Sequence, residues 1–264
     1  MLVAIDVGNT QTVVGLFGPG DGPAGSGPTL AHHWRVHTDA RRSADEMALL
    51  LDQLLELRGL DTTKVVTGIA VASVVPRLRS AVRDMTERWF PVPTVIVEPG
   101  IKTGMPILYD NPKEVGADRI ADAVAAYEGF GGPTVVIDFG TATTFEAVSA
   151  KGEYLGGAIL PGIEISLEAL VARAAALQGV ELIPPDSVIG KNTVQSLQAG
   201  AVYGFAAQVD GLCARFEAEL GPCTVVATGG LAALIAPVST AIDHHEPWLT
   251  LYGLRIIYGR NAKA

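Results

Sequence analysis

The sequence predicts an α/β protein made of two copies of one unit, with a cleft between the copies. Three observations carry this. Apolar stretches of strand length alternate with helical ones in the order β-β-β-α-β-α-β-α, and the order begins again near Thr134. The segment Asp6-Val7-Gly8-Asn9-Thr10-Gln11-Thr12 aligns with Asp138-Phe139-Gly140-Thr141-Ala142-Thr143-Thr144, the Asp, the Gly and the last Thr keeping their offsets half a chain apart. Finally, 264 residues at 48% hydrophobic and 18% charged are too apolar for disorder. A chain of that length buries roughly three quarters of its unfolded surface without a disulfide or metal staple. The expected domains are residues 1–130 and 131–264, with the final helix packing on either.

The elements follow in order. Leu2 to Val7 reads as a buried strand, hairpinned through Gly8-Asn9-Thr10 to a second strand, Thr12 to Phe17. Gly18 to Pro28, rich in Gly and Pro, reads as a floppy hairpin tip. Ala31 to Thr38 is the third strand. Ser43-Ala44-Asp45-Glu46 has the spacing of a capping box and opens a helix to about Arg58. A strand at Gly68 to Val74, a helix at Arg77 to Trp89, a strand at Thr94 to Glu98 and a helix at Val115 to Tyr127 complete the first copy. In the second, Thr134 to Asp138, Thr143 to Ser149 and Glu153 to Ile159 form a meander. Helices follow at Ile163 to Leu177 and Thr193 to Leu220, then a strand at Thr224 to Ala227 and a closing helix at Trp248 to Arg260.

Composition excludes several functions. The net charge is −9, and no basic footprint exists to release counterions from a nucleic acid. No Lys/Arg cluster suits a membrane surface, and no apolar run approaches the roughly 20 residues of a membrane span. The start Met-Leu-Val-Ala-Ile-Asp lacks a basic region and meets Asp6 at once, so a signal peptide is not expected. Cys213 and Cys223 have no partners at metal-ligand spacing and suit two buried thiols in a reducing cytoplasm. The histidines, including the pairs His32-His33 and His244-His245, form no metal pattern.

The paired hairpins point to a polyphosphate. Gly8-Asn9-Thr10 and Gly140-Thr141-Ala142-Thr143 offer backbone N–H groups and small hydroxyls, while Asp6 and Asp138 can hold a cation that phosphates share. Taken singly, each is an ordinary tight turn; the duplication favours a site. Thr228-Gly229-Gly230 leaves a flat backbone suited to a βα turn or to packing on an adenine. In Asp110-Asn111-Pro112-Lys113-Glu114-Val115-Gly116-Ala117-Asp118-Arg119, Pro112 stands at a helix start. Gly116 and Ala117 leave room for the two charges after them. There Arg119 can hold a carboxylate and Asp118 can accept a hydroxyl proton; a surface ion pair is the plainer alternative. No G-x-G-x-x-G, H-E-x-x-H or G-x-S-x-G motif competes, and Gly190-Lys191-Asn192-Thr193 lacks the upstream glycine of a P-loop.

Together and in order, these residues resemble the type III pantothenate kinases, whose two ribonuclease H-like, actin-like domains belong to the acetate and sugar kinase, Hsp70 and actin superfamily. The resemblance covers essentially the whole chain and includes Lys102-Thr103-Gly104, Gly156-Gly157-Ala158-Ile159 and Pro161-Gly162. It implies ATP-dependent phosphorylation of pantothenate to 4′-phosphopantothenate, the first step of coenzyme A synthesis, in the cytoplasm. It makes Asp118 the base and gives Asp6, Val7, Gly8, Asn9, Thr10, Gln11, Thr12 and Val13 to the ATP phosphates, Asp6 also to a divalent cation such as Mg2+. Thr141 would contact ATP and Asp138 a monovalent cation, K+ or NH4+. Tyr109, Gly116, Ala117, Asp118, Arg119 and Thr193 would line the pantothenate pocket, with Thr193 reaching the partner's pocket in a homodimer. The sequence departs from the family at Glu146, where Asp is expected most often. Two competing readings are a kinase of another small alcohol and a nucleotide-binding regulator without catalysis; the joint presence of Asp6, Asp118, Arg119 and Asp138 favours the kinase.

Overall fold

The computed structural model describes residues 1–18, 29–174 and 177–262. The chain divides into two compact units, one of Met1–Met105, Asp110–Ala125 and the closing stretch from Thr250, the other of Pro106–Tyr109 and Ala126–Leu249.

The first unit is built on a five-stranded sheet of β1 (Leu2–Val7), β2 (Gln11–Phe17), β3 (Leu30–His37), β4 (Gly68–Ser73) and β5 (Thr94–Ile96), in the order β3-β2-β1-β4-β5. The β1–β2 and β2–β3 pairs are antiparallel, β1–β4 and β4–β5 parallel. Strand side chains alternate between faces. Val3, Ile5 and Val7 therefore share one face, where they pack with Leu51 and Leu55 of α1 (Ala44–Glu56) and Leu78 and Val82 of α3 (Pro76–Trp89). Between these helices lies the single turn α2 (Thr62–Val65), capped by Asp61. The expected capping box is present: Glu46 N–H donates to Ser43 Oγ at 3.3 Å and Ser43 N–H to Glu46 Oε2 at 2.8 Å.

The opposite face of this sheet receives α8 (Leu249–Asn261). A Cβ on Gly68 would overlap the Tyr258 ring, and one on Gly253 would overlap the backbone at Ala121 in α4 (Ala117–Phe130). The closing helix thus packs on the first unit.

The second unit repeats the topology with β6 (Thr134–Phe139), β7 (Ala142–Val148), β8 (Tyr154–Pro161), β9 (Thr224–Thr228) and β10 (His244–His245). Its order is β8-β7-β6-β9-β10, with the same parallel and antiparallel senses. Val135, Ile137, Phe139 and Phe145 pack against Phe205 and Val209 of α6 (Thr193–Leu220). The remaining helices are α5 (Ile163–Arg173) and the short α7 (Ala232–Ile235). Asp210 of α6 ties down the chain beyond α7, accepting hydrogen bonds from Ser239 Oγ at 2.6 Å and Thr240 Oγ1 at 2.8 Å.

Several boundaries differ from expectation. Pro112 opens a 3-10 turn, Pro112–Glu114, in which Asn111 Oδ1 accepts from Lys113 N–H; Val115 is then extended, and α4 starts at Ala117 rather than Val115. Helix α5 ends at Arg173, short of the expected Leu177. His244–His245 lie in a strand paired to β9, because its backbone offers a free edge. The expected hairpin tip falls on residues 19–28, outside the described residues. Cys213 is buried and Cys223 partly so, both are free thiols, and burial pushes the Cys213 thiol up to about 12. Among the described residues no helix is long and apolar enough to cross a membrane.

Candidate active site

The first hairpin closes where β1 ends. Asp6 pairs with Val13 and Val7 with Thr12, and Gly8 N–H donates to the Gln11 carbonyl at 3.0 Å. Thr12 is buried, and its hydroxyl is 2.7 Å from that of Thr38; Thr38 N–H donates to the Thr10 carbonyl at 3.0 Å. The end of β3 therefore braces the turn. Val7 belongs to the core, so it can offer a ligand only its main chain. Asn9, Thr10 and Gln11 are exposed, with Gln11 Oε1 accepting from Arg35.

The second hairpin is built alike but is one residue tighter. Asp138 pairs with Thr144 and Phe139 with Thr143, and Gly140 N–H donates to the Ala142 carbonyl at 3.0 Å. Thr141 is exposed, its carbonyl accepting from Gly162 N–H at 3.2 Å at the start of α5. On the other side, Asp138 pairs with Thr228 of β9. There Gly229, at φ +93°, lies against Asp138: a Cβ would overlap the carboxylate and fall 2.6 Å from Phe139 N. Such a backbone is open to glycine and strained for other residues. The Gly-Gly step thus seats the second aspartate, a role the sequence did not reveal. The Thr143 hydroxyl, one of the small hydroxyls the sequence offered, is buried with no protein partner.

The charged pair of α4 sits in its first turn. Asp118 Oδ1 accepts from Arg119 N–H at 2.8 Å. The carboxylate folds back over Gly116, where a Cβ would overlap it. Burial raises the Asp118 carboxyl above its ordinary value, against the opposing pull of the Arg119 N–H and guanidinium. A carboxyl so placed is poised to exchange a proton nearer neutrality.

The remaining candidates are dispersed in the second unit. Tyr109 rests on β8, its ring centroid 6.3 Å from that of Tyr154. Thr193 is exposed at the first position of α6, after Asn192, whose side chain accepts from Gln195 N–H at 2.9 Å. Gly190 to Thr193 is thus a helix cap. Glu146 lies fully buried in β7, two residues beyond Thr144.

The donors at the hairpins are carboxylates and threonine hydroxyls, hard oxygen ligands that suit Mg2+ or K+ better than a thiophilic metal. Among the described residues no three His, Cys, Asp or Glu side chains converge. One carboxylate with substrate phosphates and water is an ordinary Mg2+ environment, so the residues fit such ions.

The profile of the type III pantothenate kinase family matches residues 2–215. The type III pantothenate kinase of Streptomyces griseus is 56% identical over 269 residues, covering 99% of this chain and 98% of the relative. That of Myxococcus xanthus is 58% identical over 262 residues, covering 99% of each. A Campylobacter jejuni protein described as a Baf family transcriptional activator superposes with TM-score 0.59 at 20% identity over 98% of each chain. An archaeal actin homolog gives TM-score 0.52 at 13% identity, covering 99% of this chain and 100% of that one. These two structures bear on the fold alone: two copies of the actin-like, ribonuclease H-like unit.

Proposed function

This chain belongs to the type III pantothenate kinase family, and we propose that it transfers the γ-phosphoryl group of ATP to the primary hydroxyl of pantothenate, giving 4′-phosphopantothenate and ADP. The observation that carries this reading is Asp118: a carboxyl held over Gly116 in the first turn of α4, with its proton affinity raised by burial. It accepts the hydroxyl proton as the oxygen attacks phosphorus in line. Arg119 fixes the polar groups of pantothenate, and Gly116 and Ala117 leave room for them. Tyr109 lines the pantothenate pocket, and Thr193 that of the partner.

The hairpins at Gly8 and Gly140 direct N–H groups and threonine hydroxyls at the phosphates of ATP, stabilising charge on the transferred group without reorganisation. Asp6 holds the divalent cation and Asp138 the potassium or ammonium ion; bound there, these ions neutralise phosphate charge. The kinase works in the cytoplasm as a homodimer in which Thr193 reaches the partner's pocket. In support, the segments flanking Thr193 expose Ile183 (47%), Val188 (65%), Ile189 (68%) and Val194 (50%), apolar surface that a second copy would cover.

The test is pantothenate-dependent ADP release with Mg2+, in K+ and again in Na+. Asp118→Asn is expected to lower kcat by about 10²–10⁴-fold with the fold intact. Near-wild-type turnover of that variant sinks the assignment of the base. Turnover indifferent to K+ removes the cation from Asp138.

A further inference from the structure

We infer that Tyr154 and Gly156 of β8 are positioning residues for Tyr109 and thereby set the affinity for pantothenate; this rests on the reading that Tyr109 lines the pantothenate pocket. The segment leading into Tyr109 is stitched to the free edge of β8. Tyr154 N–H donates to the Pro106 carbonyl at 2.9 Å and Leu108 N–H donates to the Tyr154 carbonyl at 2.8 Å, an isolated parallel bridge between Ile107 and Tyr154. Both main-chain groups of one residue thus fix the path of the three residues before Tyr109.

The next contact is through side chains. Tyr154 is fully buried, and its ring meets that of Tyr109 at an interplanar angle of 60°, within the range of favourable aromatic pairs. Immediately after it the strand bulges: Ala147 pairs with Gly156 and Val148 with Tyr154, so Leu155 is passed over. The bulge is closed by Gly156 at φ +124°, and the Tyr109 ring lies over it, 3.5 Å from where a Cβ would stand. A bulge re-aims the residues beside it, and here it offers a side-chain-free seat for the Tyr109 ring. An L side chain at that φ is strained whatever the space. Replacing Gly156 therefore reshapes the seat rather than merely crowding the ring. The first glycine of Gly156-Gly157-Ala158-Ile159 thus acquires a role that neither a phosphate nor a metal requires.

The test compares four single variants in steady-state kinetics, with thermal melts as a control for folding. Tyr109→Ala establishes the underlying reading and is expected to raise KM for pantothenate while KM for ATP holds. Gly156→Ala is expected to raise KM for pantothenate about tenfold, as when an ordering contact is lost, with kcat within about twofold and KM for ATP unchanged. Leu108→Pro deletes the N–H that bonds Tyr154 and also fixes φ there and restricts Ile107, at a side chain 54% exposed, and is expected to act in the same direction even where Gly156→Ala does not fold. Leu108→Ala keeps that N–H and leaves both KM values alone. In the double variant Tyr109→Ala/Gly156→Ala, KM for pantothenate is expected to match that of Tyr109→Ala. If Tyr109→Ala raises KM but Gly156→Ala and Leu108→Pro do not, the seat is overturned and the pocket stands. If Tyr109→Ala itself leaves KM for pantothenate unchanged, the placement of Tyr109 falls and takes the seat with it.

Discussion

The hairpins at Gly8 and Gly140 stand at the same place in two sheets of one topology, yet they are braced by different means. The first is held by side chains and by the end of β3, through the Thr12–Thr38 hydroxyl pair and the Thr10 carbonyl. The second is one residue tighter and is held by main chain, with Gly229 pressed on Asp138 and Gly162 bonded to Thr141. A duplicated motif thus keeps its aspartate and glycine while the parts that hold them diverge.

The sharpest way to break this comparison is at the glycines. Gly229→Ala places a Cβ on the Asp138 carboxylate at a left-handed φ. It is expected to cut kcat/KM for ATP about 10²-fold, the scale of an ångström of misplacement, and to weaken activation by K+. Gly8→Ala brings a Cβ to 2.9 Å from the Gln11 carbonyl, a main-chain atom that must shift to admit it, but at a φ that is not left-handed, and is expected to cost less than Gly229→Ala. Equal losses in the two variants would show that main-chain bracing is not peculiar to the second hairpin.

A smaller effect separates the threonines. Thr12→Val removes a buried hydrogen bond and leaves Thr38 without it, so urea titration should show a loss of about 1–2 kcal/mol. Thr143→Val removes a buried hydroxyl that bonds no protein group, so stability is expected to hold or rise while KM for ATP increases. The opposite order in stability would refute the difference in bracing.

The smallest effects are in pH dependence and contrast one carboxylate from each unit. Burial raises Asp118 above its ordinary 3.8. The folded state then holds its proton more tightly than the unfolded one, and stability falls as pH rises from about 3.8 through the raised value. Asp118→Asn should gain stability relative to wild type across that window. Asp210 shows the reverse balance: burial pushes it up, but hydrogen bonds from Ser239, Thr240 and Ala241 outweigh this and lower it. Its contribution is present above the ordinary value and lost as pH falls through the depressed one. Asp210→Ala should therefore lower Tm at pH 7 and by less near pH 3.

Much of the fold was legible in the sequence because repeated strand patterns survive divergence. The two D-x-G segments mark equivalent strand ends, and Ser43 and Glu46 form their capping box where the spacing demands it. Register was less legible. Aligning the motifs residue by residue sets Thr12 on Thr144, but strand pairing makes Thr143 its counterpart, because pairing is fixed by turn length rather than by identity. The start of α4 was misplaced because Asn111 and Pro112 are good openers of any helical turn, and nothing local distinguishes a 3-10 turn from an α-helix. At the site, residue types were readable and backbone angles were not. Gly229 and Gly156 looked like any glycine at a strand until their positive φ placed them against Asp138 and Tyr109.

The packing of α8 on the first unit has a consequence for synthesis. Strands β1 to β5 emerge from the ribosome early, but the sheet face around Gly68 lacks the cover of Tyr258 until Leu249 to Asn261 have been made. Every strand and helix of the second unit has emerged by then. Domains generally complete in the order of their translation. Here the half begun first is completed only by a helix made after the whole of the second unit.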